Sequence, residues 1–295
     1  MLGDDLMKVL VTGATGMFGS KVCELLDKQG IEVLALTRNA EHAERMTRGT
    51  TTGIVGDLDD PDTLKPALDA ADRMFLVSPM HEDLGTRESG AIRMASECGL
   101  DQIVKLYGSV RHEGDLLDRG HQLAIESLRK IATPWTLVSP QTVMETNLLG
   151  QAEGLRLERA MYGSAGDGKI GMVALEDCVE VAALALQSAP SALAGENLEI
   201  TGPEALTYTE IADEMSQALG CTIRYVDMPE AEFSAMLLEY GMNADEIELQ
   251  VLCHFRQMRL GKASLVTDTF EELTGKKPTS VRAWTRLHRR ELGFD

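Results

Sequence analysis

Residues 11–20 read VTGATGMFGS. An apolar run, KVLVTG (8–13), enters the stretch, and an amphipathic segment, MFGSKVCELLDKQG (17–30), leaves it and closes at Gly30. This is the pattern of a strand, a glycine-rich turn and a helix. Glycines stand at 13, 16 and 19, so the spacing is G-x-x-G-x-x-G rather than G-x-G-x-x-G. Residues without a Cβ let the backbone turn sharply, approach a ligand closely and seat the helix on the strand. The helix start adds unpaired N–H groups and about half a positive charge. The stretch therefore reads as a cradle for a pyrophosphate, with Gly13, Thr15, Gly16, Met17, Phe18 and Gly19 as its contacts.

Outward from this turn the same rhythm repeats. EVLALTR (32–38), GIVGDL (53–58), RMFLVSP (73–79), DQIVKLYGS (101–109) and WTLVSP (135–140) read as strands. PDTLKPALDAA, RESGAIRMASECG and the segment from 118 to 130 read as helices between them. Near-continuous apolar strands separated by helices indicate a parallel sheet covered on both faces. The expectation is an α/β, doubly wound Rossmann-like sheet over residues 1–203. Within it, an insertion near 141–166 would line a cleft. DGKIGMVALED (167–177) reads as a strand running to a helix cap at Asp177. Residues 204–295 are mostly helical around one strand, CTIRYVDM, and are expected to form a smaller C-terminal substrate or cap domain.

The 295 residues suffice for a substantial core. A net charge of −19 argues against nucleic-acid or anionic-membrane binding. A basic run from Lys276 to Arg290, with six Lys/Arg and no acid, reads as a solvated terminal helix. The N-terminal MLGDDLMKVLVTG carries acids where a signal peptide needs bases. The five cysteines are scattered, with no CxxC. These features point to a cytoplasmic protein, monomer or homodimer, with reduced thiols. No His/Cys/carboxylate spacing suggests a metal.

Arg38 ends the second strand where an NAD-selecting Asp or Glu usually stands. A carboxylate binds a ribose diol, whereas a guanidinium accepts a 2′-phosphate, a contact worth roughly 1.5–3 kcal/mol. NADP(H) is expected over NAD(H). Asp57 and Leu58 follow the third strand; Asp57 can face the adenine, cap the helix at Pro61, or do both. Val77, Ser78 and Pro79 end the fourth strand, and Pro140 the sixth, at the edge where a dinucleotide runs.

Together TGATGMFG, Arg38, GDLDDPDTL, HQLAIESL, PWTLVSPQTVMETNL and ENLEITGPEALTYTEIA resemble the NmrA-like atypical short-chain dehydrogenases/reductases, in particular the NAD(P)H:quinone or azo-dye reductase type. The resemblance spans nearly the whole chain. It implies a cofactor-binding Rossmann domain, a small substrate domain and a quinone-like or aromatic, possibly polyketide-type, small-molecule substrate. The family also includes nucleotide-sensing regulators with little or no catalysis, and a tailoring ketone or ene reductase is a third reading.

Active short-chain reductases carry Tyr-x-x-x-Lys on the helix after the fifth strand. The resemblance places Asp118 and Gln122 there. Asp118 is a poor proton donor near neutrality, while Gln122 can still hydrogen-bond a ribose. Candidate catalytic groups are then His121, Tyr107 and Ser109. The face presented by Lys105 depends on strand alternation. His81, Gln141, Met144 and Asn147 are candidate substrate contacts. Met144, Met161 and Met172 suit either a flat aromatic guest or core filling.

Overall fold

The computed structural model describes residues 7–108, 110 and 116–294. The chain divides into two compact units, and the first comprises residues 1–107, 114–138 and 179–198. The elements, in chain order, begin with β1 (Lys8–Val11), α1 (Met17–Lys28), β2 (Glu32–Thr37), α2 (Ala40–Met46), β3 (Thr51–Val55) and α3 (Pro61–Asp69). They continue with β4 (Arg73–Leu76), α4 (Leu84–Glu97), β5 (Gln102–Leu106), α5 (Leu116–Leu128) and β6 (Trp135–Pro140).

A seven-stranded sheet has the order β3-β2-β1-β4-β5-β6-β8, where β8 is Asn197–Ile200. The pairings from β3 through β6 are parallel. The fold class read from sequence is the one observed. β1, β2, β4, β5 and β6 are buried along nearly their whole length, as parallel strands with helices on both faces must be. β3 and β8, at the two edges, are partly exposed. The chain leaves β1 toward β2 and β3, then returns to β4 on the other side of β1. This is a switch point, at whose carboxyl edge ligands bind in open α/β sheets.

The second unit comprises residues 108–113, 139–178 and 199–295. It holds α6 (Met144–Leu148), α7 (Ala152–Glu158) and β7 (Ala160–Gly163). α8 (Leu175–Gln187) begins in it. Beyond β8 follow α9 (Tyr208–Leu219), β9 (Arg224–Asp227), α10 (Glu230–Glu239), α11 (Ala244–Ile247), α12 (Cys253–Arg259), α13 (Thr269–Thr274) and α14 (Val281–Leu287). β7 and β9 form a two-stranded parallel sheet. Stacked Tyr208, Tyr225 and Phe255 centre this unit's core. The stretch near 141–166 thus goes with the C-terminal helices.

Glu145 ties these segments together. Its carboxylate accepts the Trp284 indole N–H at 2.6 Å and the Leu175 backbone N–H at 2.9 Å. His288 stacks on Trp284 at 4.3 Å, with Nε2 3.9 Å from Glu145. One buried carboxylate so joins α6, the start of α8 and the last helix.

Local readings differ in three places. The segment 167–177 is not a strand. Ile170 and Val173 make single bridges, and Gly171 donates its N–H to Ala263. A Cβ on Gly168 would strike the Met258 carbonyl, so close approach of other chain segments replaces a ladder. Asp177 does not cap α8, which starts two residues earlier; it accepts the N–H and hydroxyl of Thr279 at 2.7 and 3.0 Å. α2, β7 and α13 are short elements that apolar periodicity does not reveal. No described helix is long and apolar enough to cross a membrane.

Burial pushes Glu145 above the ordinary glutamate range, against the pull of its donors. A carboxyl whose folded-state pKa is raised adds stability below its unfolded pKa and loses it as the pH rises through the raised value. Glu145→Gln should therefore flatten this part of the stability profile and lose less stability than the wild type as the pH rises from about 4 toward neutrality. Urea midpoints across that range check it; parallel profiles would refute it.

Candidate nucleotide site and polar cluster

The glycine turn is shaped by what would not fit in it. Gly13 has φ +55°, and a Cβ there would stand 2.8 Å from the Val77 carbonyl oxygen. A Cβ on Gly19 would collide with the Gly13 backbone. α1 is thereby pressed onto the turn. The Thr12 hydroxyl donates to Val77 O at 2.7 Å and accepts the Val77 N–H at 2.9 Å, which locks the ends of β1 and β4 together. No acid stands in the first turn of α1, so its positive end is unopposed. These features fit a dinucleotide pyrophosphate.

Gly13, Thr15, Arg38, Asp57, Leu58, Val77 and Pro79 line one cavity of about 450 Å³. Seven residues predicted from sequence are so brought together. Met17 and Phe18 open α1 beside it. Asp57 accepts the Asp59 N–H at 3.1 Å in its own turn, while Asp60 caps α3 by accepting from Asp62 N at 3.1 Å. The capping role offered for Asp57 therefore falls to Asp60. Arg38 is exposed, and its charge adds to the lowering of the Asp59 carboxyl. Arg87, by contrast, grips Asp59 with Nε at 2.9 Å from both oxygens, which holds the Asp59 carboxyl below its usual range. His42 and Arg87 also line the cavity and were not read from sequence. The signal for His42 was Asn39, whose side chain accepts from the N–H groups of Glu41 and His42 and starts α2.

A second group surrounds α5. Tyr107 and His121 meet edge to face, ring centres 5.1 Å apart. Gln122 Nε2 donates to the Tyr107 hydroxyl at 3.3 Å and to Asp118 at 3.4 Å. Lys105 is fully buried and turns toward α4 and α5, with its Nζ 2.5 Å from Glu88 Oε2 and 3.4 Å from His121 Nδ1. Ser78 lines no cavity named above; its hydroxyl donates to Glu88 Oε1 at 2.9 Å. Ser109 lies outside the described residues. His81 is exposed in the turn before α4 and pairs with Asp83 at 3.4 Å.

In the second unit Gln141 is buried, and neither its amide oxygen nor its nitrogen has a hydrogen-bond partner among the described residues. Pro140 is buried beside it. Met144, Met161 and Met172 lie within the hydrophobic core, so core filling is their role here. Asn147 donates to Val143 O at 2.9 Å and accepts from the Tyr208 hydroxyl at 3.3 Å, which ties it to structure. The basic run meets acids: Arg282 grips Glu214, and Lys277 reaches Glu271 at 2.5 Å. Glu145, Glu176 and His288 come within 4.8 Å of one another, a proximity between distant segments that spacing cannot reveal. None of the five cysteines is in a disulfide. Burial pushes the Cys23 thiol up to about 12 and raises Cys178 as well, which makes both poor nucleophiles.

Residues 13–160 match a family model described as NAD(P)H-binding. The chain is 29% identical over 292 residues to an NAD(P)H azoreductase of Xenophilus azovorans, covering 97% of this chain and 99% of that one. It is 31% identical over 289 residues to a (4-alkanoyl-5-oxo-2,5-dihydrofuran-3-yl)methyl phosphate reductase of Streptomyces griseus, covering 95% and 97%. An NADPH-dependent quinone oxidoreductase of Escherichia coli, solved with NADPH, superposes with a TM-score of 0.84 at 24% identity over 94% of this chain and 98% of that one.

Gly19→Ala should lower NADPH affinity by at least about tenfold, a loss of about 1.4 kcal/mol, because the added methyl forces α1 off the turn. Fluorescence titration checks this, with circular dichroism confirming the fold; unchanged affinity would remove the turn from the site.

Proposed function

The chain belongs to the NAD(P)H-binding family, and on that premise we propose that it is an NADPH-dependent reductase of quinone-like or other conjugated aromatic small molecules. The observation that carries the reading is the glycine turn opening onto the cavity that also holds Arg38. When bound there, NADP(H) supplies a hydride from its nicotinamide ring.

The chain's own residues then have separable tasks. Gly13, Gly16 and Gly19 let the backbone approach the pyrophosphate, and the start of α1 offsets its charge. Arg38 meets the 2′-phosphate from the end of β2. Asp57 and Leu58 border the adenosine side. Gln122, held by Tyr107 and Asp118, is the ribose contact. In the second unit the orphaned amide of Gln141 offers a donor and an acceptor to a polar group of a substrate, since leaving both unpaired costs about 1–3 kcal/mol each.

With Asp118 and Gln122 in place of Tyr and Lys, the helix offers no phenol to protonate an isolated alkoxide. A quinone needs none, because hydride addition to it leaves a delocalised hydroquinone anion that solvent can protonate. The reading is of a cytoplasmic enzyme, in keeping with a net charge of −19 and free thiols.

The purified protein should oxidise NADPH with a simple benzoquinone, and Arg38→Ala should weaken NADPH binding by about 10- to 100-fold while changing NADH binding little. Stopped-flow absorbance and titration of both cofactors check these outcomes. Tight NADPH binding without turnover on quinones, azo dyes or ketones would mark a sensor instead, and equal affinities for the two cofactors in the wild type would overturn the assignment to Arg38.

A further inference from the structure

A buried ion pair stands inside the first unit. Lys105, in the middle of the sheet on β5, is 0% exposed, and Glu88 on α4 is 1% exposed. Removing two charges from water costs several kcal/mol per ion, and an apolar pair at these positions would pack with less penalty. The lysine stands on β5 beside the buried apolar residues Ile103 and Val104. Its surroundings show what it holds.

Around the Lys105 Nζ stand Glu88 Oε2, ion-paired with it at 2.5 Å, the Leu106 carbonyl, which accepts from it at 3.0 Å, and His121 Nδ1 at 3.4 Å. An ammonium has three protons and no lone pair. It can donate to His121 Nδ1 only if that nitrogen carries no proton. The second carboxylate oxygen, Glu88 Oε1, accepts from the Ser78 hydroxyl at 2.9 Å, which fixes where the carboxylate stands against the lysine. The ring of His121 is set edge-on against Tyr107, 5.1 Å away.

We propose that Lys105, held by Glu88, is a positioning residue that fixes His121 as the neutral tautomer with its proton on Nε2. The ammonium occupies Nδ1 as a donor and so prevents the ring from taking up a second proton there. His121 then works as a neutral hydrogen-bond donor at Nε2, a role a preorganised site uses to stabilise a developing oxyanion. For a quinone, hydride adds at the acceptor, the electron pair moves onto oxygen, and that oxygen accepts the Nε2–H hydrogen bond. Solvent supplies the proton that completes the hydroquinone, and the imidazole keeps its own. This use of the ring rests on the reductase reading above, whereas the tautomer is a property of the chain without any cofactor.

The test is a long-range 1H–15N correlation spectrum of the 15N-labelled, full-length, cofactor-free protein near neutral pH, with His121 assigned by loss of its signals in His121→Gln. The wild type should show a protonated Nε2 and an unprotonated Nδ1. A protonated Nδ1, or a doubly protonated ring, would overturn the proposal without any other variant. Lys105→Met combined with Glu88→Gln removes both charges at once, so neither is left buried alone. In that variant the Nδ1–H form should rise to a measurable share. With a quinone as acceptor its kcat should fall by about tenfold while the KM for NADPH stays within about twofold. An unchanged tautomer in the double variant would overturn the role of Lys105. Absence of any turnover by the wild type would count against the reductase reading alone, because the spectrum stands without it.

Discussion

The Gly13 backbone occupies the space that a side chain at position 19 would need, and the position of the first helix depends on that exclusion. Because nothing larger than hydrogen fits, α1 sits directly on the turn that ends β1. The turn in turn is clamped to β4 through Thr12 and Val77. The place where α1 offers its N–H groups, the edge where β1 and β4 diverge and the cavity holding Arg38 are consequences of one close backbone contact. The cavity of about 450 Å³ is built from loops following β1, β2, β3 and β4, the loops a doubly wound sheet gathers at its carboxyl edge.

The second unit depends on a different kind of constraint. Its segments come from distant parts of the chain, and Glu145 joins them through a tryptophan indole and a helix-start N–H. A buried carboxylate with few donors is a costly element. Here it specifies which helices meet, while the apolar contacts of Tyr208, Phe255 and Trp284 provide the burial. Both units thus set apolar packing around a small number of polar contacts that admit one arrangement.

Much of the first unit is legible in the sequence because its signals are local. A parallel strand buried on both faces must be apolar throughout, so KVLV and WTLVSP announce themselves. The glycine turn is equally local, since each glycine answers a requirement within a few residues. Short elements such as α2 and α13 carry too few turns to show periodicity, and β7 is four residues long. The segment 167–177 misleads for a related reason. Its glycines permit close approach by remote backbone, and in sequence this looks like a strand.

The sequence by itself determined the sheet, the nucleotide-binding turn, the cationic end of β2 and the departure from Tyr-x-x-x-Lys, all of which depend on neighbours along the chain. Tertiary structure alone decided which polar groups face one another. It turned Lys105 toward Glu88 and His121, gave the α3 cap to Asp60 and left Asp57 on the cavity, sent Met144 into the core, and left the Gln141 amide buried and unpaired. Strand alternation permits Lys105 either face of the sheet, and only the helix packed against that face supplies the carboxylate that lets an ammonium remain there.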